Sequence, residues 1–108
     1  MTDRLDLPLR YREMLDALLQ KYVPSVEVWA YGSRINGRCH EGSDLDLVLR
    51  SSTLEPLDYE YDELLEALEQ SSLPILVQAH DWARLPESFH REIERDYVVV
   101  QGGSCHKN

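Results

Sequence analysis

Nowhere in the 108 residues does an apolar run approach the roughly 20 consecutive residues that a membrane-spanning helix needs. The opening Met1-Thr2-Asp3-Arg4-Leu5-Asp6 lacks a basic stretch followed by an apolar one. No secretory signal is expected, and the cytoplasm is the expected compartment. Cysteine is scarce: Cys39 and Cys105 are too few for a disulfide framework and have no metal-ligand spacing. Basic residues are also in deficit, with 11 Lys+Arg against 20 Asp+Glu and a formal net charge of −9. A protein that grips a phosphate backbone needs a basic stripe, and none is visible. Neither a direct nucleic-acid partner nor an anionic membrane is therefore expected; a partner with a basic surface suits the charge better. There is no Gly-Lys-Ser/Thr ending, which excludes a Walker-type phosphate loop. Internal repeats and low-complexity linkers are missing too.

What remains is one modest domain, expected over residues 1–101, with residues 102–108 read as a disordered tail. At this length a separate substrate domain is not expected. Tyr11, Leu15, Leu18, Leu19 and Tyr22 recur at spacings of three and four, which predicts an amphipathic helix over 8–22 ended by Pro24. Residues 26–31 (Val-Glu-Val-Trp-Ala-Tyr) read as a strand, and 44–49 (Asp-Leu-Asp-Leu-Val-Leu) as a second with Leu45, Leu47 and Leu49 on one face. A second helix is predicted over about 58–70, a third strand over 75–79 after Pro74, a short helix over 87–95 and a last strand over 97–100. This α-β-β-α-β-α-β order predicts an α+β fold: a small mixed sheet flanked by helices.

Two short motifs carry chemistry. Asp44 and Asp46 stand one residue apart in a predicted strand, so a two-residue period puts both carboxylates on one face. Side by side they repel unless a cation lies between them. Such a pair suits Mg²⁺, a hard ion that takes one or two carboxylates plus phosphate oxygens and water. Taken alone, an Asp-x-Asp pair is more often a solvated strand end. Gly32-Ser33 follows a strand directly: glycine lets the backbone approach an anion, and Ser33 offers a hydroxyl and an N–H. Arg34 would add a charge-assisted contact to phosphate. A lone Gly-Ser is usually just a turn with a helix cap. The combination is what separates the two motifs from those bland alternatives.

Gly32-Ser33, ten residues, then Asp44-x-Asp46 resembles the signature of the DNA polymerase β-like nucleotidyltransferase superfamily. The longer stretches Tyr31-Gly32-Ser33-Arg34-x-x-Gly37 and Gly42-Ser43-Asp44-Leu45-Asp46-Leu47 are similar to the minimal nucleotidyltransferase (MNT) family in particular. The resemblance covers roughly residues 10–100 and continues through 74–77 and 81–89. It implies Mg²⁺-dependent transfer of a nucleoside monophosphate, usually AMP from ATP, to a hydroxyl with release of pyrophosphate. It also implies a partner: the family is commonly the antitoxin of a HEPN ribonuclease toxin, whose tyrosine accepts AMP, so a hetero-oligomer is expected. Gly32, Ser33 and Arg34 would hold phosphates, and Asp44 and Asp46 the metal.

One departure bears on catalysis. The family supplies a third carboxylate in a pattern resembling Val-Asp-x-x-Asp-Trp, but Val77-Gln78-Ala79-His80-Asp81-Trp82 puts Gln78 in that slot. An amide can ligate Mg²⁺ through its oxygen but is a poor base. His80, two residues on, shares the face and is the candidate substitute. Asp81 faces the other way and is read as a cap. The competing expectation is a non-catalytic antitoxin that neutralises its partner by occlusion. Trp29, Trp82, Leu85, Phe89 and Ile93 are read as core; Cys39, His40 and Glu41 as a solvated loop.

Overall fold

In the computed structural model, residues 5, 7–32, 35 and 44–102 are described. Ser33, Arg34, the 36–43 loop with Cys39, His40 and Glu41, and residues 103–108 of the expected tail lie outside the described residues. The elements are α1 (Leu9–Tyr22), β1 (Glu27–Tyr31), β2 (Leu45–Arg50), α2 (Tyr59–Gln70), β3 (Val77–Asp81), α3 (Glu87–Arg95) and β4 (Val98–Gln101), with a short 3-10 helix at Trp82–Arg84 between β3 and α3. The sheet runs β3-β2-β1-β4. β1 pairs antiparallel with both β2 and β4, whereas β2 and β3 are parallel. The mixed α/β architecture expected from the sequence is the one found.

The leucine spacing decides what each helix buries. Leu15 and Leu19 of α1 and Leu64 of α2 are fully buried, and the two helices pack on each other and on one face of the sheet. That face presents Val28 and Ala30 from β1 and Leu45, Leu47 and Leu49 from β2, all in the main core. Each fully buried leucine stabilises the fold by about 1.5–3 kcal/mol relative to exposure. Gln101 pins the far edge, its Nε2 donating to the carbonyls of Val23 and Val26 at 2.8 Å each.

The opposite face holds a second, smaller core of Trp29, Val48, Trp82 and Ile93, joined by Phe89 and Tyr97. Tyr97 stacks on Trp29 with centroids 3.8 Å apart, and the Arg50 guanidinium lies over both tryptophan rings. Arg50 also pairs with Glu27 at 2.6 Å, so its charge is met on the sheet. Helix α3 supplies Phe89 and Ile93 to this cluster at the spacing the sequence shows.

Strand β3 starts two residues later than expected, at Val77 instead of Ile75. Its partner explains the shift: β2 begins at Leu45, which is opposite Val77, so Ile75 and Leu76 precede the first rung. Asp81 is the last residue of β3 and is buried. Its carboxylate accepts from the N–H of Ala83 and thereby caps the 3-10 helix, as its position in the sequence suggested. It also accepts from the buried N–H of Leu57 at 2.9 Å and from Arg84 at 3.0 Å, tying the entrance of α2 to the end of β3.

Candidate active site

The second face of the sheet also carries the acidic pair. Asp46 is opposite Tyr31 on β1 and Gln78 on β3, and one rung further on Val48 is opposite Trp29 and His80. The row Tyr31-Asp46-Gln78 therefore crosses three strands on one face. Asp44 stands immediately before β2, and the Gln78 amide donates to its Oδ2 at 3.1 Å. The structure thus brings Asp44, Asp46 and Gln78 together, with His80 one step along β3.

Gly32 closes the group from the other side. It sits at φ +90°, a backbone conformation that side chains resist. A β-carbon built on it would stand 2.7 Å from Asp46 Oδ2. The glycine is needed so that the turn after β1 can lie against the carboxylate. Of the six residues assigned from sequence, Gly32, Asp44, Asp46 and Gln78 converge, and Ser33 and Arg34 lie outside the described residues.

The electrostatics follow from crowding. Burial pushes the Asp46 carboxyl above its ordinary range, the Asp44 charge pushes it further, and His80 partly opposes them. Tyr31, half-buried beside this charge, has its phenol pushed up to about 12 by burial and by Asp46.

A carboxylate that resists ionisation beside a second carboxylate makes a site that gains from a cation. Among the described residues no three of His, Cys, Asp and Glu gather into a cluster that could hold a metal by themselves. Mg²⁺ does not require one, because it takes one or two carboxylates and completes its shell with phosphate oxygens and water. Gln78, bonded to Asp44, adds no third charge. The residues present fit a Mg²⁺–polyphosphate better than a bare metal ion.

Comparison with known proteins agrees with the fold. Residues 2–87 match the family model of the central palm domain of mitochondrial-like poly(A) RNA polymerase, which sets the class as a nucleotidyltransferase palm. A protein of Haemophilus influenzae named probable protein adenylyltransferase MntA is 41% identical over 99 residues, spanning 91% of this chain and 85% of that protein. The chain belongs to the minimal nucleotidyltransferase family of DNA polymerase β-like nucleotidyltransferases. Among solved structures, a toxin–antitoxin complex with AMP-PNP superposes with a TM-score of 0.69 at 22% identity, over 84% of this chain and 73% of that one. A tri-AMPylated Shewanella oneidensis HEPN toxin in complex with its MNT antitoxin gives 0.65 at 18% identity, over 89% and 73%. At these identities the superpositions speak for the fold.

Proposed function

We propose that this chain is a Mg²⁺-dependent nucleotidyltransferase that transfers AMP from ATP to a tyrosine of a HEPN ribonuclease toxin, acting as its antitoxin. The observation that carries the proposal is the convergence of the Gly32 turn on the Asp46 carboxylate, with Asp44 beside it and Gln78 alongside. Support for the acceptor comes from the relative named as a protein adenylyltransferase and from the AMPylated HEPN toxin held by a protein of this fold.

Asp44 and Asp46 would hold Mg²⁺, which when bound neutralises charge on the triphosphate and the departing pyrophosphate. The chain's own contribution is positional. Gly32 lets the backbone approach the phosphates, Ser33 and Arg34 would bind them, and the β1–β2 pairing fixes Gly32 relative to the carboxylates. Gln78 holds Asp44 in place through its amide and cannot take the acceptor's proton. His80 is the nearest group on β3 that can.

The Gln78–Asp44 hydrogen bond also favours a second reading, in which the chain binds nucleotide and neutralises its partner by occlusion. Incubation with Mg²⁺, α-labelled ATP and the HEPN partner separates the two. Label stably attached to the partner supports transfer; inhibition of the ribonuclease without label overturns it in favour of occlusion.

A further inference from the structure

The approach to β3 carries an apolar surface that the fold leaves uncovered. Leu73-Pro74-Ile75-Leu76-Val77 is an unbroken apolar run, yet none of these residues is buried, and Leu76 is 61% exposed. With Leu65 and Leu68 of α2 they line a groove of 440 Å³ bordered by exposed Glu69. Because β3 is an edge strand, the groove opens where the sheet stops. The register holds it there. The Leu45 N–H donates to the Leu76 carbonyl at 2.9 Å, so the exposed side chain cannot be withdrawn without breaking the first rung of β2 on β3. A contiguous apolar patch rimmed by charge marks a contact face, as scattered exposed leucines do not.

Charge decides among occupants. Over Tyr59–Gln70, α2 carries five acidic residues and no Lys or Arg. Glu69 stands in the last turn, where the helix dipole already presents negative charge and an acidic side chain is disfavoured. A cation brought against it by a partner turns that cost into attraction. A second copy of the chain would bring another Glu69 and a net charge of −9 to the same face, and is repelled. An apolar side chain flanked by Lys or Arg satisfies both the groove and its rim. The groove also shares its strand with the acidic pair: Val77 lines it, and Gln78, next along β3 and on the other face, donates to Asp44. A protein gripping the β3 edge at Val77 therefore lies beside the carboxylates.

Resting on the transfer reading, we propose that this groove is the docking site of the acceptor protein. An apolar side chain of the HEPN partner, flanked by Lys or Arg, seats between α2 and β3 and keeps the acceptor tyrosine close to Asp44 and Asp46. The test compares wild type with Leu76→Ser, Leu76→Met and Glu69→Lys, all at exposed positions, for calorimetric affinity to the purified HEPN partner and for single-turnover labelling of it. Leu76→Ser should weaken the partner about tenfold, as expected of an interface anchor, whereas Leu76→Met should bind like wild type. Glu69→Lys should weaken it about tenfold at low salt and far less at high salt, where the rim charge is screened. In every variant the labelling rate at saturating partner and the affinity for Mg-ATP should stay within about twofold, which a general loss of structure would not allow. Should Leu76→Ser fail to fold, Glu69→Lys decides alone. Unchanged partner affinity in Leu76→Ser and Glu69→Lys overturns the groove. So does a wild-type chain that sediments as a dimer and is returned to a monomer by Leu76→Ser, which gives the face to a second copy. Partner bound by wild type but left unlabelled refutes transfer alone, and the affinities then decide the groove; a wild-type chain that does not bind the partner refutes both.

Discussion

Gly32 and Asp46 lie so close that a β-carbon on the glycine would come within 2.7 Å of Asp46 Oδ2 and the carboxylate would have to move aside. Two costs are therefore superimposed at this position, strain at φ +90° and displacement of a carboxylate. Gly32→Ala should destabilise the protein by about 1–3 kcal/mol, the range for a non-glycine residue held in an unfavourable backbone region. It should also weaken Mg-ATP binding in the fraction that remains folded. In an Asp46→Ala background the stability loss should shrink, since the clash goes and only the backbone strain stays. Urea titrations of the four proteins in this cycle measure the coupling. A strictly additive cycle would show that the contact with Asp46 carries no energy.

Asp44→Asn and Asp46→Asn should each leave a folded protein and weaken Mg-ATP by about 100-fold or more, given that even partners one step removed from a metal are worth about 10–100-fold. Calorimetry checks this, and unchanged affinity in both variants would remove the metal assignment.

The Asp46 carboxyl has a pH signature of its own. Burial and Asp44 raise its pKa above the ordinary 3.8. A carboxyl raised on folding favours the folded state while protonated, and that advantage disappears as pH climbs through the folded value. Ionised Asp46 is thus a cost to the metal-free protein at neutral pH. Asp46→Asn should raise the Tm of the metal-free protein at neutral pH, with the gap narrowing as pH falls through the carboxylate range. Thermal scans across that range with a chelator present provide the check; a gap independent of pH would contradict the raised pKa.

Asp81 makes a structural prediction on the opposite face of the same sheet. Its side chain is 1% exposed and accepts from two backbone N–H groups, whereas its partner Arg84 is 62% exposed. Asp81→Ala should cost about 2–4 kcal/mol, because it strands the buried Leu57 N–H and removes a cap. Arg84→Ala should cost less than about 1 kcal/mol, as expected of a solvent-screened pair. Similar losses in the two variants would mean that the ion pair, and not the backbone N–H groups, holds this corner.

The helices and the first two strands were legible because leucine spacing is a direct record of burial: Leu15, Leu19 and Leu64 repeat at helical intervals, and Leu45, Leu47 and Leu49 alternate. The start of β3 was not, because Ile75 and Leu76 are as apolar as the strand itself and only the position of Leu45 on β2 fixes the first rung. The 3-10 helix at Trp82–Arg84 is too short to leave a periodicity, and its one signal was Asp81 ahead of it. At the site, spacing was enough to put Asp44 and Asp46 on one face, and the family resemblance was what brought Gln78 to them. Phe89 and Ile93 follow core spacing, and a sequence does not show that this part of the core ends beside Gly32.

Gln78 is where the chain departs from its family, and the structure gives the departure a consequence. The amide donates to Asp44, so Gln78→Asp exchanges an attractive contact for a third carboxylate beside Asp44 and Asp46. Without metal the variant should melt lower than wild type, because like charges at hydrogen-bond distance repel. Mg²⁺ should then stabilise it more than it stabilises wild type, since the ion has one more charge to neutralise. If Gln78 limits the proton-transfer step, the substitution should also raise single-turnover transfer to the partner, toward the about 10²–10⁴-fold that general-base assistance supplies. ATP affinity should change little, because Asp44, Asp46 and the Gly32 turn are retained. Should His80 be the working base, Gln78→Asp would leave the rate alone and His80→Ala would abolish transfer. Thermal scans with and without Mg²⁺ report on the geometry and the single-turnover rate on the chemistry, so the two questions are answered separately. If neither substitution alters the rate while Mg²⁺ still stabilises Gln78→Asp preferentially, β3 holds the metal but takes no proton, and the acceptor must lose its proton to a group outside this strand.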